Sequence, residues 1–238
     1  MPMDNLGFTS VPAVLKQLRL AEHLGLDCDA ALRAAGIDAA ELKDTSLRIP
    51  GLKYERLLGH LLKVSGDPLF GLHSARFVQP GSWSVLGYIT MNCATLGEAM
   101  SRIVPYEKLV GDMGVSRIEA DSQQVQLIWD CRHQNAEVRR HMTEEVLASW
   151  LLYACWIADS QLSPSEVWFE HAQPADVELS EYQSLFGCPI HFGQPCNALL
   201  VPPQYLQIAL RQADANLLRT LEDNALALLS GCNSGGHL

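Results

Sequence analysis

The chain has 238 residues, 48% hydrophobic and 18% charged, which excludes a disordered polymer and allows one large domain or two lobes sharing a core. A formal charge of -10 repels phosphate, so this chain alone is not expected to bind nucleic acid well. With no apolar run of about 18 residues and no signal region in MPMDNLGFTS, neither a membrane contact nor a secretory leader is expected. Seven scattered cysteines, an odd number, fit free thiols in a reducing cytoplasm. The charge is uneven. Up to His141 there are 15 basic and 16 acidic residues; beyond it only Arg211 and Arg219 stand against 11 acids.

The first third reads as short helices. Val11, Val14, Leu15 and Leu18 recur at helical spacing, and Gly25 and Asp27 separate that helix from DAALRAAGI. DTSLRIP is a short extended link, and GLKYERLLGHLLKVSG is an amphipathic helix stopped by Gly66 and Asp67–Pro68. SWSVLGYITMNCA is nearly all apolar. In TLGEAMSRIVPYEKLVG, Thr95 and Glu98 form a capping-box pattern, and Pro105 should kink or interrupt the helix.

Strand signals begin at residue 114. GVSRIEA and QVQLIWDC flank Asp121–Ser122 as a hairpin, with Val125, Leu127, Trp129 and Cys131 on one face. A long helix over about 136–158 carries Met142, Val146, Trp150, Tyr153 and Ile157 on one stripe. A strand SEVWFEHA, a helix ELSEYQSLFG and a second hairpin in GCPIHFGQPCNALLVP follow, then a helix from about Asp214 to Leu229 and a Gly/Ser-rich tail. The order predicts an α+β fold: a helical N-terminal lobe, about 1–112, packed on a small, mainly antiparallel sheet with helices on one face, about 113–212. A C-terminal helix, about 213–229, and a linker over 230–238 complete it.

Chemistry is sparse. No nucleophile elbow, zinc-protease motif or phosphate-binding glycine loop occurs. Glu144–Glu145 and Glu222–Asp223 read as solvated helix faces, because adjacent helical residues point apart. Cys188, His191 and Cys196 imitate part of a zinc site. Strand alternation, however, puts Cys188 and His191 on opposite faces, and no local fourth ligand exists, so no metal is expected. Large aromatics crowd residues 83–156. They build either a core or a mostly apolar pocket with a few polar handles. For such a pocket the candidate lining is Trp83, Tyr88, Arg102, Tyr106, Trp129, Glu145 and Trp150. Arg102 or Glu145 would supply the charged handle for a small carboxylate or amino acid. Leu218, Leu221, Ala225 and Leu228 follow 3-4-3 spacing, a seam for a second copy or for the helix's own domain.

FEHAQPADVELSEYQSLFGCPIHFGQPCNALLVP resembles the N-terminal, arabinose-binding-like domains of AraC/XylS-type bacterial transcription regulators. The matching positions are Phe169, His171, Pro174, Tyr182, Phe186, Gly187, Cys188, Pro189, Phe192, Gly193, Asn197 and Leu199. The block from Gly66 to Val110 matches too. The resemblance implies a non-enzymatic regulatory domain that binds a small-molecule effector or forms a homodimer. DNA binding would lie in two helix-turn-helix motifs beyond residue 238. The element order is also similar to the haem-nitric-oxide-binding fold, but no Y-x-S-x-R motif occurs, and no cofactor is expected. An enzyme using the same pocket and a dimerisation module without effector are the rival readings.

Overall fold

The structure, a computed structural model, describes residues 6–234; the first five residues, with the early Asp, and the end of the Gly/Ser-rich tail lie outside the described residues. Two short strands, β1 (Phe8–Ser10) and β2 (Arg48–Pro50), pair antiparallel, so the expected extended link is a strand with a partner. Ser10 caps α1 (Val11–His23): its hydroxyl accepts from Ala13 N at 3.4 Å, and Pro12 sits in the first turn, where no N–H is needed. Asp27 caps α2 (Cys28–Ala35) in the same way. α3 (Gly51–Ser65) buries Tyr54, Leu57, Leu58, Leu61 and Leu62 and stops at Gly66, and α4 (Phe70–Ala75) follows the Asp67–Pro68 break.

Three short helices come next: α5 (Ser84–Met91), α6 (Leu96–Ser101) and α7 (Ile103–Tyr106). Thr95 Oγ1 accepts from Glu98 N at 3.2 Å, which caps α6. The interruption expected from Pro105 falls at Arg102, because a proline ring presses on the carbonyl four residues back, here that of Ser101.

β3 (Gly114–Ala120) and β4 (Val125–Cys131) form the expected hairpin, and Asp121 Oδ1 holds its turn by accepting from Gln123 N and Gln124 N. α8 (Ala136–Ala158) starts at Asn135, whose side chain accepts from Glu137 N and Val138 N. β5 (Glu166–Trp168), α9 (Leu179–Phe186), β6 (Ile190–His191), β7 (Ala198–Val201) and α10 (Ala215–Ser234) complete the chain. The five-stranded sheet has the order β3-β4-β7-β5-β6, antiparallel except for β5 with β6.

This order corrects the second hairpin. β6 and β7 do not pair; β5 lies between them. The side-chain alternation within the stretch holds, with Ile190 buried and His191 exposed. The motif residues instead build an aromatic cluster. Phe169 stacks on Phe192 at 5.7 Å and meets Tyr182 and Phe186 edge-on, while Gly187 and Gly193 turn the chain at positive φ. Asn197 does more than close a turn. Its side chain accepts from Glu170 N at 2.9 Å and donates to Glu170 Oε2 at 2.6 Å, while its backbone carbonyl accepts from Trp129 N at 3.0 Å. α10 also runs to Ser234, five residues past the expected end, so the start of the expected linker is helical.

Two apolar cores meet at α8 and β4. One joins α1–α4 to Trp129, Cys131, Val138 and Met142. The other joins α5–α7, α9 and α10 to Val125, Leu127, Leu147 and Leu151. The opposite sheet face carries only a small cluster of Ile128, Ala198 and Leu200.

Candidate functional site

Where the two cores meet, they leave a cavity of about 180 Å³. α8 forms one wall with Met142, Glu145, Val146, Trp150, Tyr153 and Ile157, the stripe expected from sequence plus Glu145. α1 and α3 contribute Lys16 and Tyr54; α6 and α7 contribute Leu96, Ala99, Met100 and Ile103; the strands contribute Gly114, Ser116, Leu127, Trp129 and Leu199. Most of this lining is apolar or aromatic, with a few convergent polar groups, which is the composition of a small-molecule pocket.

The polar groups centre on a buried ion pair. Lys16 is 4% exposed and Glu145 2%, and Lys16 Nζ donates to Glu145 Oε1. Ser149 Oγ also donates to Glu145 Oε1 at 2.7 Å, one turn along α8. Burial, with the nearby Arg19 guanidinium adding to it, pulls the Lys16 ammonium down to about 7. Glu107 lies elsewhere on the lining, with Oε2 accepting from Ser116 N at 2.7 Å, and burial raises its carboxyl above the usual range. Trp83 meets the Tyr153 ring edge-on at 4.7 Å, and Tyr153 donates to Gly87 O at 2.5 Å. Trp129 fits only because residue 114 is glycine: a Cβ there would lie 2.2 Å from the indole ring.

Of the seven expected lining residues, Trp83, Trp129, Glu145 and Trp150 come together on this cavity, and three lie elsewhere. Tyr88 is on α5 and 45% exposed. Arg102 points to α10, where its Nε donates to Glu222 Oε1 at 2.6 Å. Tyr106 is packed in the core beside α6. The carboxylate pair read as a solvated face is instead fully buried, with Glu144 0% exposed. Its two side chains do point apart, as adjacent helical residues must, but both directions are interior. Lys16, Tyr54 and Glu107 were not legible as site residues. A lysine in a helix reads as exposed, and its partner is 129 residues away.

The expected seam on α10 divides as well. Leu218 and Ala225 are buried against the domain and Leu221 is half-buried, while Leu228 is exposed. Among the described residues no group of three His, Cys, Asp or Glu could hold a metal, and no helix is long and apolar enough to cross a membrane. The cavity lining includes no histidine or cysteine. Lys16 Nζ also lies 3.4 Å from Ser149 Oγ, which is not itself on the lining.

Two proteins of Pseudomonas aeruginosa resemble the chain. The ornithine utilization regulator is 24% identical over 229 residues, covering 94% of this chain and 67% of that protein. The crystal structure of the transcriptional regulator CdpR shares the fold at a TM-score of 0.60 and 15% identity, covering 82% of this chain and 59% of that one. The chain is thus similar to transcription regulators, and it spans about three-fifths of the solved one. More narrowly, residues 25–210 match the arabinose-binding domain of AraC transcription regulator, N-terminal, and the chain belongs to that family.

Proposed function

We propose that the domain senses a small-molecule effector in the α8 cavity, and that this binding controls DNA binding by another part of the same regulator. The observation that carries the reading is the cavity itself. A mostly apolar space of about 180 Å³, built around one buried ion pair and three tryptophans, is what a binding site needs and what a purely structural core would fill. The relative's name connects it with ornithine, so amino acids head the compounds to be tried. A ligand can shift the regulator only through different affinities for its two states. The reading also includes a homodimer that uses the free flank of α10, where Leu217 and Leu228 are 46% and 45% exposed. That flank replaces Leu218 and Ala225, which the domain itself occupies.

Trp83, Trp129 and Trp150 report on the cavity directly. A metabolite screen by thermal shift should yield a compound that raises the melting temperature and changes tryptophan emission in the same concentration range. If every compound that raises the melting temperature leaves emission untouched, or none raises it, the sensor reading fails. Sedimentation of Leu217→Asp/Leu228→Asp tests the dimer; an unchanged oligomer would remove α10 from it.

A further inference from the structure

The ionisable groups on the cavity do not balance. Lys16 and Glu145 cancel each other in one buried pair. Glu107 remains: its oxygen is held by Ser116, a neutral donor, and among the described residues it forms no ion pair. Arg132 acts on it only from farther off. Glu107 is half-buried and has no paired cation, and burial, the larger influence on it, raises its carboxyl above the usual range. The aromatic walls add to the asymmetry, because the faces of Trp and Tyr rings attract cations and not anions. The net charge of -10 works in the same direction at long range.

A ligand carrying only a carboxylate would have to compete with Glu145 for Lys16. It would also add a second uncompensated negative charge to the same small space. A ligand carrying an ammonium group meets neither obstacle. Partial loss of the Lys16 proton near neutral pH leaves the lining still more negative.

We infer that the effector is a small organic cation, an amine or an amino acid with an additional ammonium group, whose charged nitrogen pairs with Glu107 while its apolar body lies along Trp83, Trp129 and Trp150. The inference rests on the sensor reading and deepens it. A zwitterionic head could in addition exchange with the Lys16–Glu145 pair, its carboxylate on Lys16 and its ammonium on Glu145, leaving no buried charge alone.

The test uses one six-carbon body with different heads: hexylamine, hexan-1-ol, hexanoate and 1,6-diaminohexane, titrated into this chain by calorimetry and tryptophan emission. Hexylamine should bind about tenfold more tightly than hexanoate or hexan-1-ol, about 1.4 kcal/mol. Glu107→Gln should reduce that preference to near unity, and Glu107→Asp, which keeps the charge, should retain part of it. Where Glu107→Gln does not fold by circular dichroism, Glu107→Asp alone carries the comparison, and a preference equal to wild type counts against Glu107. Tighter binding of hexanoate or hexan-1-ol overturns the cation assignment and leaves the sensor reading standing. Binding by none of the four overturns the cation assignment, and the metabolite screen then decides separately whether the cavity is a sensor at all.

Discussion

Glu144 and Glu145 are neighbours on α8, both buried, and their surroundings differ in kind. Glu145 meets the Lys16 amino group, from a helix at the other end of the chain, and the pair opens on a cavity. Glu144 points towards α9. Its closest partner is a neutral hydroxyl, Tyr182 Oη, which donates to Oε1 at 2.6 Å. Charged or chargeable groups stay farther off: His171 Nε2 at 3.5 Å and Arg140 Nη1 at 3.8 Å. Burial raises the Glu144 carboxyl to about 7, and pulls the neighbouring His141 down to about 3. One turn of helix thus holds a carboxylate in direct contact with a lysine and a carboxyl that burial raises although Arg140 and His171 stand a little farther off. Only the first faces space that a ligand can occupy.

The largest expected effect is on the paired side. Lys16→Met leaves Glu145 buried and alone and should cost about 3–5 kcal/mol in denaturant unfolding, whereas Lys16→Met/Glu145→Leu should return to wild-type stability or above it. A double variant as unstable as the single one would show that the pair is not the isolated unit described.

Next comes acidity, where the two sides oppose each other. The Glu144 carboxyl titrates near 4.5 when unfolded and about 7 when folded, so between those values the native state holds the extra proton. Stability should therefore fall as pH rises from about 4.5 to 7, by about 3 kcal/mol from this group, and Glu144→Gln should abolish that slope. Lys16 has the reverse sign: its folded value of about 7 lies below 10.5, the unfolded state holds more protons between them, and stability should rise with pH there. Denaturation curves at stepped pH check both slopes; equal slopes in wild type and Glu144→Gln would remove Glu144 from the account.

Tyr182→Phe removes the one short bond to Glu144 and should cost about 1–3 kcal/mol. It should also push the Glu144 titration, followed by carbon-labelled carboxyl resonances, further upward. Smallest is Arg102→Gln. Its bond to Glu222 is short, but both side chains are part-exposed, and the change should stay within about 1 kcal/mol.

The sequence made some of this contrast legible. Helix α8 and the β3–β4 hairpin follow from patterns that are local, the apolar stripe from Met142 to Ile157 and the one-face repeat of β4 beside the Asp121–Ser122 turn. Trp129 and Trp150 were found because the α8 stripe and the β4 face each repeat at a period that names a buried side. Tyr88, Arg102 and Tyr106 were grouped with them by position along the chain; Tyr88 takes the exposed face of α5, Arg102 turns to Glu222 on α10, and Tyr106 packs into the core. The β6–β7 error has the same root: alternation tells which face a residue takes and says nothing about which strand lies alongside. Glu144 and Glu145 exceeded the reach of local pattern altogether. Adjacent acids on a helix normally lie in water, and only the enclosure of α8 on both flanks buries them.

Gly114 gives the cavity an adjustable dimension. The space beside Trp129 exists because one residue on β3 lacks a methyl group, and a Cβ there would have to displace the indole. The Lys16–Glu145 pair lies on other elements, α1 and α8, whereas Glu107 is tied to the same strand through Ser116 N. On the proposed sensor reading, Gly114 would tune the length of ligand admitted while the Lys16–Glu145 pair on α1 and α8 stays unchanged.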